Sequence, residues 1–340
     1  MKKIINNSCL FVSLLLLGAC SAEDASLLSS SRQEIEVAVS IDTPEQTKVG
    51  SDINGDGVVG NGGAFDTNDE FTLYLATKPD ETIATNKKAD YKYNTNTKNW
   101  DATPPLYWDN QAGCPFSAIS PKYTTDGKYK ITENGAADTY SVEIDQSDAT
   151  KQKTSDLLIA RSTVTNRLLK VNFHHVFCRV VVQLTAATTG DGAFAATDFN
   201  DAVVTLNGIH IDAEITYPTD GTVTDGTVIA TATTTGTGTN VTMCKLSASN
   251  TLPAVYSAII PQQALTERPL VTITLVKGNT YTYSYKSADL LNGITAPFAQ
   301  GKETTIKIKL TKKNVVGNIS ITGWGDGPTV TDNEAIVLPK

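Results

Sequence analysis

Apolar and polar residues alternate with a period of two along most of this chain. Ile35-Glu36-Val37-Ala38-Val39-Ser40-Ile41 places its large apolar side chains on one face, the pattern of a half-buried strand. Similar runs recur at residues 71–75, 140–144, 171–184, 202–206, 209–215, 255–260, 271–276, 280–285, 304–310 and 315–321. Gly, Asn, Asp and Pro punctuate them, and no long amphipathic stretch of helical period separates them. Strands joined by turns fold as antiparallel sheets packed face to face, so the pattern predicts β-sandwiches rather than parallel βαβ units. With 340 residues, two such domains fit in series. The polar stretch RSTVTNR at 161–167 lies between apolar 156–160 and a strand that starts at Leu168. It marks the expected seam, with one sandwich over 49–165 and the other over 166–340. The Thr/Gly tract at 218–240 reads as an exposed hairpin or loop with β-branched arms.

Residues 1–19 fall outside this pattern. Lys2 and Lys3 precede the apolar stretch CLFVSLLLL at 9–17, the layout of an export signal. Leu17-Gly18-Ala19-Cys20 resembles the lipobox at which a bacterial signal peptidase cuts, leaving Cys20 diacylated as the first residue. Acyl chains then hold the protein to a membrane through about 0.8 kcal/mol per buried CH₂. Ser21-Ala22-Glu23-Asp24 is similar to the acidic tracts that send lipoproteins of Bacteroidetes to the cell exterior, and 25–32 reads as a Ser-rich tether. No later apolar run approaches the roughly 18 residues of a membrane-crossing helix. The expected location is the outer membrane and cell surface.

Charge narrows the function classes. Lys and Arg total 28 against 36 Asp and Glu, a formal charge of −8, which argues against binding of nucleic acid through phosphate neutralisation. Apart from Cys9 and Cys20 the cysteines are Cys114, Cys178 and Cys244, an odd set that permits at most one bridge and is expected as buried thiols. The nucleophile elbow, the zinc-protease helix, the phosphate-binding loop and the CxxC pair are absent from the sequence, and no GxGxxG stands between a strand and a helix. Three histidines offer few general bases, and no enzyme activity is expected. His174, His175 and Cys178 can be drawn as zinc ligands, but adjacent strand residues face opposite ways.

Two further features carry candidate chemistry. Asp52-Ile53-Asn54-Gly55-Asp56-Gly57 matches the opening half of a calcium loop, with oxygens from Asp52, Asn54 and Asp56, yet Gly63 stands where the closing carboxylate belongs. An Asx-rich turn without a cofactor is the expectation, with calcium as the alternative. Trp100, Trp108, Trp324 and the pair Tyr91 and Tyr93 are candidate sugar-stacking platforms, set against ordinary packing of amphipathic aromatics.

Several stretches together resemble a family. Leu106-Tyr107-Trp108, followed by Cys114-Pro115-Phe116-Ser117-Ala118-Ile119-Ser120-Pro121, looks like the Trp, then Phe-x-Ala-x-x-Pro, signature of the fimbrillin-like proteins of Bacteroides. Asp156-Leu157-Leu158-Ile159-Ala160, Val171-Asn172-Phe173-His174-His175 and Val180-Val181-Val182 resemble that family's DLL segment and its V-x-F-x-H strand. Ala258-Ile259-Ile260-Pro261-Gln262, Gly301-Lys302-Glu303-Thr304-Thr305-Ile306-Lys307-Ile308 and Ile321-Thr322-Gly323-Trp324 follow in the family's order.

The resemblance implies a structural subunit of a surface pilus, made as a lipoprotein, with two transthyretin-like antiparallel β-sandwich domains in series. In that family a trypsin-like protease trims the exported precursor, the first strand leaves, and the groove accepts a strand from the C-terminus of another subunit. A sandwich that lacks a strand exposes unpaired backbone groups beside an apolar trough, and an extended alternating segment satisfies both. A head-to-tail contact of this kind does not close on itself, so it grows a filament.

Carried onto this chain, residues 20–48 become the tether and removable strand, whose inward face is Ile35, Val37, Val39 and Ile41. The candidate cut falls between Lys48 and Val49, where relatives usually show Thr-Arg and an Arg-specific protease would not accept Lys. Cutting between Arg32 and Gln33 instead would free the lipid but retain the strand. The donor candidates are Val315, Ile319 and Ile321, with a second apolar group containing Ile336 and Leu338. Ordinary sheet membership is the alternative for both termini. The expected partners are other fimbrial subunits, and the outer membrane before processing. The alternative function is a monomeric surface glycan-binding lipoprotein.

Overall fold

The alternating segments build strands, and the partners of those strands set the architecture. The structure is a computed structural model that describes residues 33–41, 69–76, 87–94, 96–110, 112–122, 138–186, 193–216, 231–247, 253–275, 279–286, 289, 298–311 and 315–323. Seven strands, β1 (Glu36–Ile41), β2 (Glu70–Leu75), β3 (Lys87–Asn94), β4 (Asn99–Thr103), β5 (Pro115–Ser120), β7 (Leu158–Thr163) and β8 (Leu168–His175), form one sheet in the order β1-β8-β7-β5-β2-β3-β4. Phe71, Leu73, Leu75, Tyr91, Phe116, Ala118, Leu158, Leu169, Val171 and Phe173 share its inner face and are all buried. Just beyond β4, Tyr107 bridges back to Glu34, just ahead of β1, so the two ends of the sheet meet around this core.

The second half is a sandwich. Its five-stranded sheet runs β14 (Cys244–Lys245), β15 (Ala254–Ile260), β9 (Cys178–Ala186), β18 (Lys302–Leu310), β19 (Val315–Gly323). Its four-stranded sheet runs β13 (Thr239–Thr242), β10 (Val203–Ile209), β16 (Arg268–Thr274), β17 (Thr280–Tyr285). Val180, Val182, Leu184, Tyr256, Ile306, Ile308 and Ile319 from the first sheet meet Val204, Leu206, Val271, Ile273 and Tyr283 from the second. Because side chains alternate across a strand, each sheet contributes every second residue to this layer.

A fourth sheet, of three strands, joins the halves. The connection from β5 to β7, which are neighbours in the first sheet, leaves that sheet altogether. It forms β6 (Asp138–Ser141) and helix α1 (Ala149–Ser155) on the way. β6 pairs with β11 (Asp212–Thr216), which pairs in turn with β12 (Thr231–Thr235). Between them Tyr74, Ile119 and Ile159 from the outer face of the first sheet pack with Tyr140, Ala213, Ile215, Phe177 and Ile259.

The all-β expectation holds, and the arrangement differs from the expected one in four respects. The run 171–184 is not one strand: Val176 and Phe177 interrupt it, with β8 in the first sheet and β9 in the second half. The change of sheet therefore falls at 176–177, not at 165/166, because the polar stretch 161–167 is the end of β7 and the turn into its own neighbour β8. Two pairs, β1 with β8 and β9 with β18, are parallel rather than antiparallel. The halves are interlocked by β6 and α1 rather than strung in simple series. Of the Thr/Gly tract, the described arms β12 and β13 pair with β11 and β10 in different sheets, not with each other.

Candidate functional site

Among the described residues Glu36–Ile41 of β1 pairs with β8 alone, while the lead-in residues Gln33 and Ile35 are bonded to Trp108 and Leu106. The register of β1 along β8 runs from Glu36 opposite Leu168 to Ile41 opposite Phe173. The alternation read from the sequence decides which way it faces: Ile35 and Ile41 are buried, and Val37 and Val39 are half-buried against the same core. Glu36 and Ala38 are exposed on the other face. Burial of Ile35 and Ile41 contributes about 1.5–3 kcal/mol each.

Polar contacts fix the two ends. At the start, Ile35 N donates to Leu106 O at 2.8 Å and Trp108 N donates to Gln33 O at 2.7 Å. Glu36 N donates to Arg167 O at 3.2 Å, and the Arg167 guanidinium lies 3.0 Å from the Glu36 carboxylate in an exposed pair. At the far end Ser40 Oγ donates to Asn172 Oδ1 at 2.9 Å. Exposed ion pairs add well under 1 kcal/mol, so the apolar face and the β8 ladder hold β1 in place. Its floor consists of Leu169, Val171 and Phe173, with a ledge at Leu106, Tyr107 and Trp108. Sequence reading missed this slot as a unit, because its walls lie some 70 to 130 positions from β1 and nothing local announces the pairing.

The remaining candidates are placed as follows. Gln33 is described and exposed, whereas Cys20, Arg32, Lys48, Val49, Ile336 and Leu338 lie outside the described residues, as do Asp52, Asn54, Asp56 and Trp324. Val315, Ile319 and Ile321 are members of β19, which pairs with β18 over nine residues from Leu310 opposite Val315 to Lys302 opposite Gly323. Ile319 is fully buried there. At Gly317 an added Cβ would come within 2.8 Å of Cε2 of Tyr283 and 3.0 Å of Lys307 O, so glycine lets β19 lie close under β17.

The zinc drawing does not form. His175 Nδ1 is 2.9 Å from Asp156 Oδ1, His174 points from the opposite face of β8, and Cys178 Sγ is 3.6 Å from Thr304 Oγ1 on the neighbouring strand β18. Among the described residues no group of three or more His, Cys, Asp or Glu side chains is gathered tightly enough to hold an ion. Cys114, Cys178 and Cys244 are buried thiols outside any disulfide, and burial pushes the Cys178 thiol up to about 12 and that of Cys244 up to about 11. Trp100 packs edge-on against Phe71 with ring centroids 4.8 Å apart and lies 5.2 Å from the ring of Tyr93, and Trp108 is half-buried on the same core. Both belong to the packing of the first half rather than to an open platform. No described helix is long and apolar enough to cross a membrane.

A family model described as fimbrillin-like matches residues 58–324, most of the chain. This chain belongs to the fimbrillin-like family. The crystal structure of a candidate cell adhesion protein from Bacteroides uniformis matches this fimbrillin-like chain with 16% identity and a TM-score of 0.56, covering 86% of this chain and 99% of that one. A second such protein, from Bacteroides ovatus, matches with 16% identity and a TM-score of 0.56 over 86% of this chain and 98% of that one. At this identity the likeness is one of fold. A search of curated proteins gives no significant match.

Proposed function

We propose that this fimbrillin-like protein is a structural, non-catalytic subunit of a cell-surface fimbrium, delivered as a lipoprotein through Cys20 and joined to its neighbours by exchange of β1 for a donated strand. Membership of the family supports the fimbrial role. The observation that carries the exchange is the seating of β1: among the described residues Glu36–Ile41 has one ladder, to β8, with a continuous inward face of Ile35, Val37, Val39 and Ile41 and a chain that continues through Lys48. Cutting between Lys48 and Val49 would cost β1 its covalent tie to the rest of the fold. The vacated edge would then expose the backbone of β8 beside an apolar floor, the state that an extended segment relieves. Cutting between Arg32 and Gln33 would leave β1 attached, and such a subunit would be an anchor or cap.

The donor is the chain that follows β19. Val315, Ile319 and Ile321 are committed to the ladder with β18, and withdrawing them would cost nine residues of pairing and the burial of Ile319. The second apolar group, with Ile336 and Leu338 on one face, is the donor in this reading. Mild trypsin treatment of the purified precursor, followed by electron microscopy and gel electrophoresis, tests it. Filaments or ladders that require loss of residues 33–41 are expected, and persistent monomers after that loss would overturn the exchange.

A further inference from the structure

The second half carries a cation without a counter-charge. Arg268 opens β16 opposite Tyr285 of β17, whose side chain is buried in the sandwich core. Residues opposite one another in an antiparallel pair face the same way, so the Arg268 stem leaves its strand on the inner side, at the end of that core. The residue as a whole is half-buried. Its Nε and Nη2 are shut off from water, and neither has an acceptor among the described residues. Burial pushes the pKa of the guanidinium down, with loss of water as the sole cause. A cation held in this way is costly until an acceptor completes it.

The acidic neighbours do not complete it. Asp289 Oδ2 already accepts from the Tyr283 hydroxyl at 2.7 Å and from Lys286 N at 3.0 Å. Glu267, next to Arg268 in the chain, is exposed and does not reach the buried edge. The backbone beneath the guanidinium is shaped for close approach. At Gly208, where φ is 64°, an added Cβ would lie 2.9 Å from Nη1 and 3.2 Å from Cζ of Arg268. Gly238 packs on Gly208 in turn, since a Cβ there would be 2.6 Å from Gly208 O. The β10–β13 register breaks between Leu206 and Ile209, and the β16–β17 register between Pro269 and Val271, so two bulges flank Arg268. Gly208 N donates to Asn240 Oδ1 at 3.3 Å, which leaves the amide NH₂ of the exposed Asn240 available to another acceptor.

Nε–H and Nη2–H are parallel donors on one edge of a guanidinium, spaced to meet the two oxygens of a carboxylate. We propose that this edge of Arg268 is a binding site for a carboxylate, taken side-on, with the Asn240 amide as a second, neutral donor. Glu267 and Asp289 both act on the neighbouring Tyr285 hydroxyl, so a single positive charge in these surroundings suits a monoanion better than a phosphate dianion. Packing on Gly208 is what holds the guanidinium in place, and rotation of the side chain brings its fork to the opening beside exposed Glu267 and Pro269. A free small carboxylate and the carboxylate of an acidic sugar share this chemistry. The site belongs to the second half and does not rest on the exchange of β1.

The test titrates the full chain with sodium acetate, sodium glucuronate and sodium chloride at matched ionic strength. It reads Tm together with the nuclear magnetic resonance signal of the Arg268 Nε–H. A saturable rise of about 5 °C is expected at a carboxylate concentration a hundredfold above Kd, with the Nε–H signal shifting along the same curve. A response to acetate, with or without glucuronate, assigns the site to free carboxylates, and a response to glucuronate alone assigns it to acidic sugars. No saturation with either, or an equal response to chloride, would overturn the site. Arg268→Gln is expected to abolish the response, and its persistence there would overturn the assignment to Arg268. Should that variant fail to fold, Asn240→Asp keeps an acceptor for Gly208 N while adding a like charge. It is expected to weaken carboxylate binding at least tenfold, and unchanged affinity would overturn the proposal.

Discussion

Both ends of the Gln146 side-chain amide are bonded to the backbone of Ile259: Nε2 donates to Ile259 O at 2.8 Å, and Oε1 accepts from Ile259 N at 2.8 Å. β14 pairs with β15 at Tyr256 and Ser257, so the amide of Gln146 stands in for a further strand residue ahead of Cys244, where β14 begins. The same connection places Gln152 Nε2 at 2.6 Å from Ser257 Oγ and Lys153 on the buried carboxylate of Asp69 at the head of β2. Residues 138–156 thus belong by sequence to the connection within the first sheet and by contact to both halves.

Gln146→Leu is expected to destabilise the protein by about 2–4 kcal/mol, because it leaves a buried N–H and C=O of Ile259 unmet. Urea unfolding followed by fluorescence measures it. The variant should also separate the unfolding of the two halves into two transitions, and a loss under about 0.5 kcal/mol would remove Gln146 from the junction's energetics.

Ile41→Ala removes a nearly fully buried side chain from the far end of β1 and is expected to cost about 2–3 kcal/mol. Ala38→Ser, on the exposed face, should stay within about 0.5 kcal/mol. Both are read by denaturation of the precursor, and faster tryptic release of β1 from Ile41→Ala alone is the accompanying sign.

Trp100→Ala separates packing from sugar binding. Loss of the contacts to Phe71 and Tyr93 should cost roughly 2–3 kcal/mol of stability. A variant that keeps its stability and loses retention on a glycan affinity gel would instead support the glycan-binding alternative.

Alkaline pH should weaken the fold through its buried thiols. Below pH 9, the ordinary thiol value, Cys178 and Cys244 are protonated in both folded and unfolded chains. Above it the unfolded chain ionises first while burial holds Cys178 neutral up to about 12, so stability falls as pH rises from 9 toward 12. Urea titrations at pH 7.5 and 10 on a chain starting at Ser21 check the sign. In the same protein at pH 8, thiol reagents should react with none of the three cysteines until it is unfolded.

How far the sequence carried varies with the range of the interaction. The inward face of β1 was readable because alternation is a local property of six residues. The family was readable because short motifs kept their order along the chain. β3, β4 and β5 were not picked out: Lys87–Asn94 is rich in Lys and Tyr, Asn99–Thr103 is mostly polar, and Pro115–Ser120 is bracketed by prolines. Their strand character comes from pairing with β2 and with one another.

By itself the sequence determined that this is an all-β chain of the fimbrillin-like kind and which of residues 35–41 face inward. The tertiary structure alone decided that β1 lies parallel to β8, that β8 and β9 belong to different sheets, and that residues 138–156 bind the halves together through Gln146 and Ile259. Those facts are pairings between segments up to about 130 residues apart. A backbone ladder is blind to side-chain identity, so which strand lies beside which is fixed only when the whole set of apolar faces is buried at once.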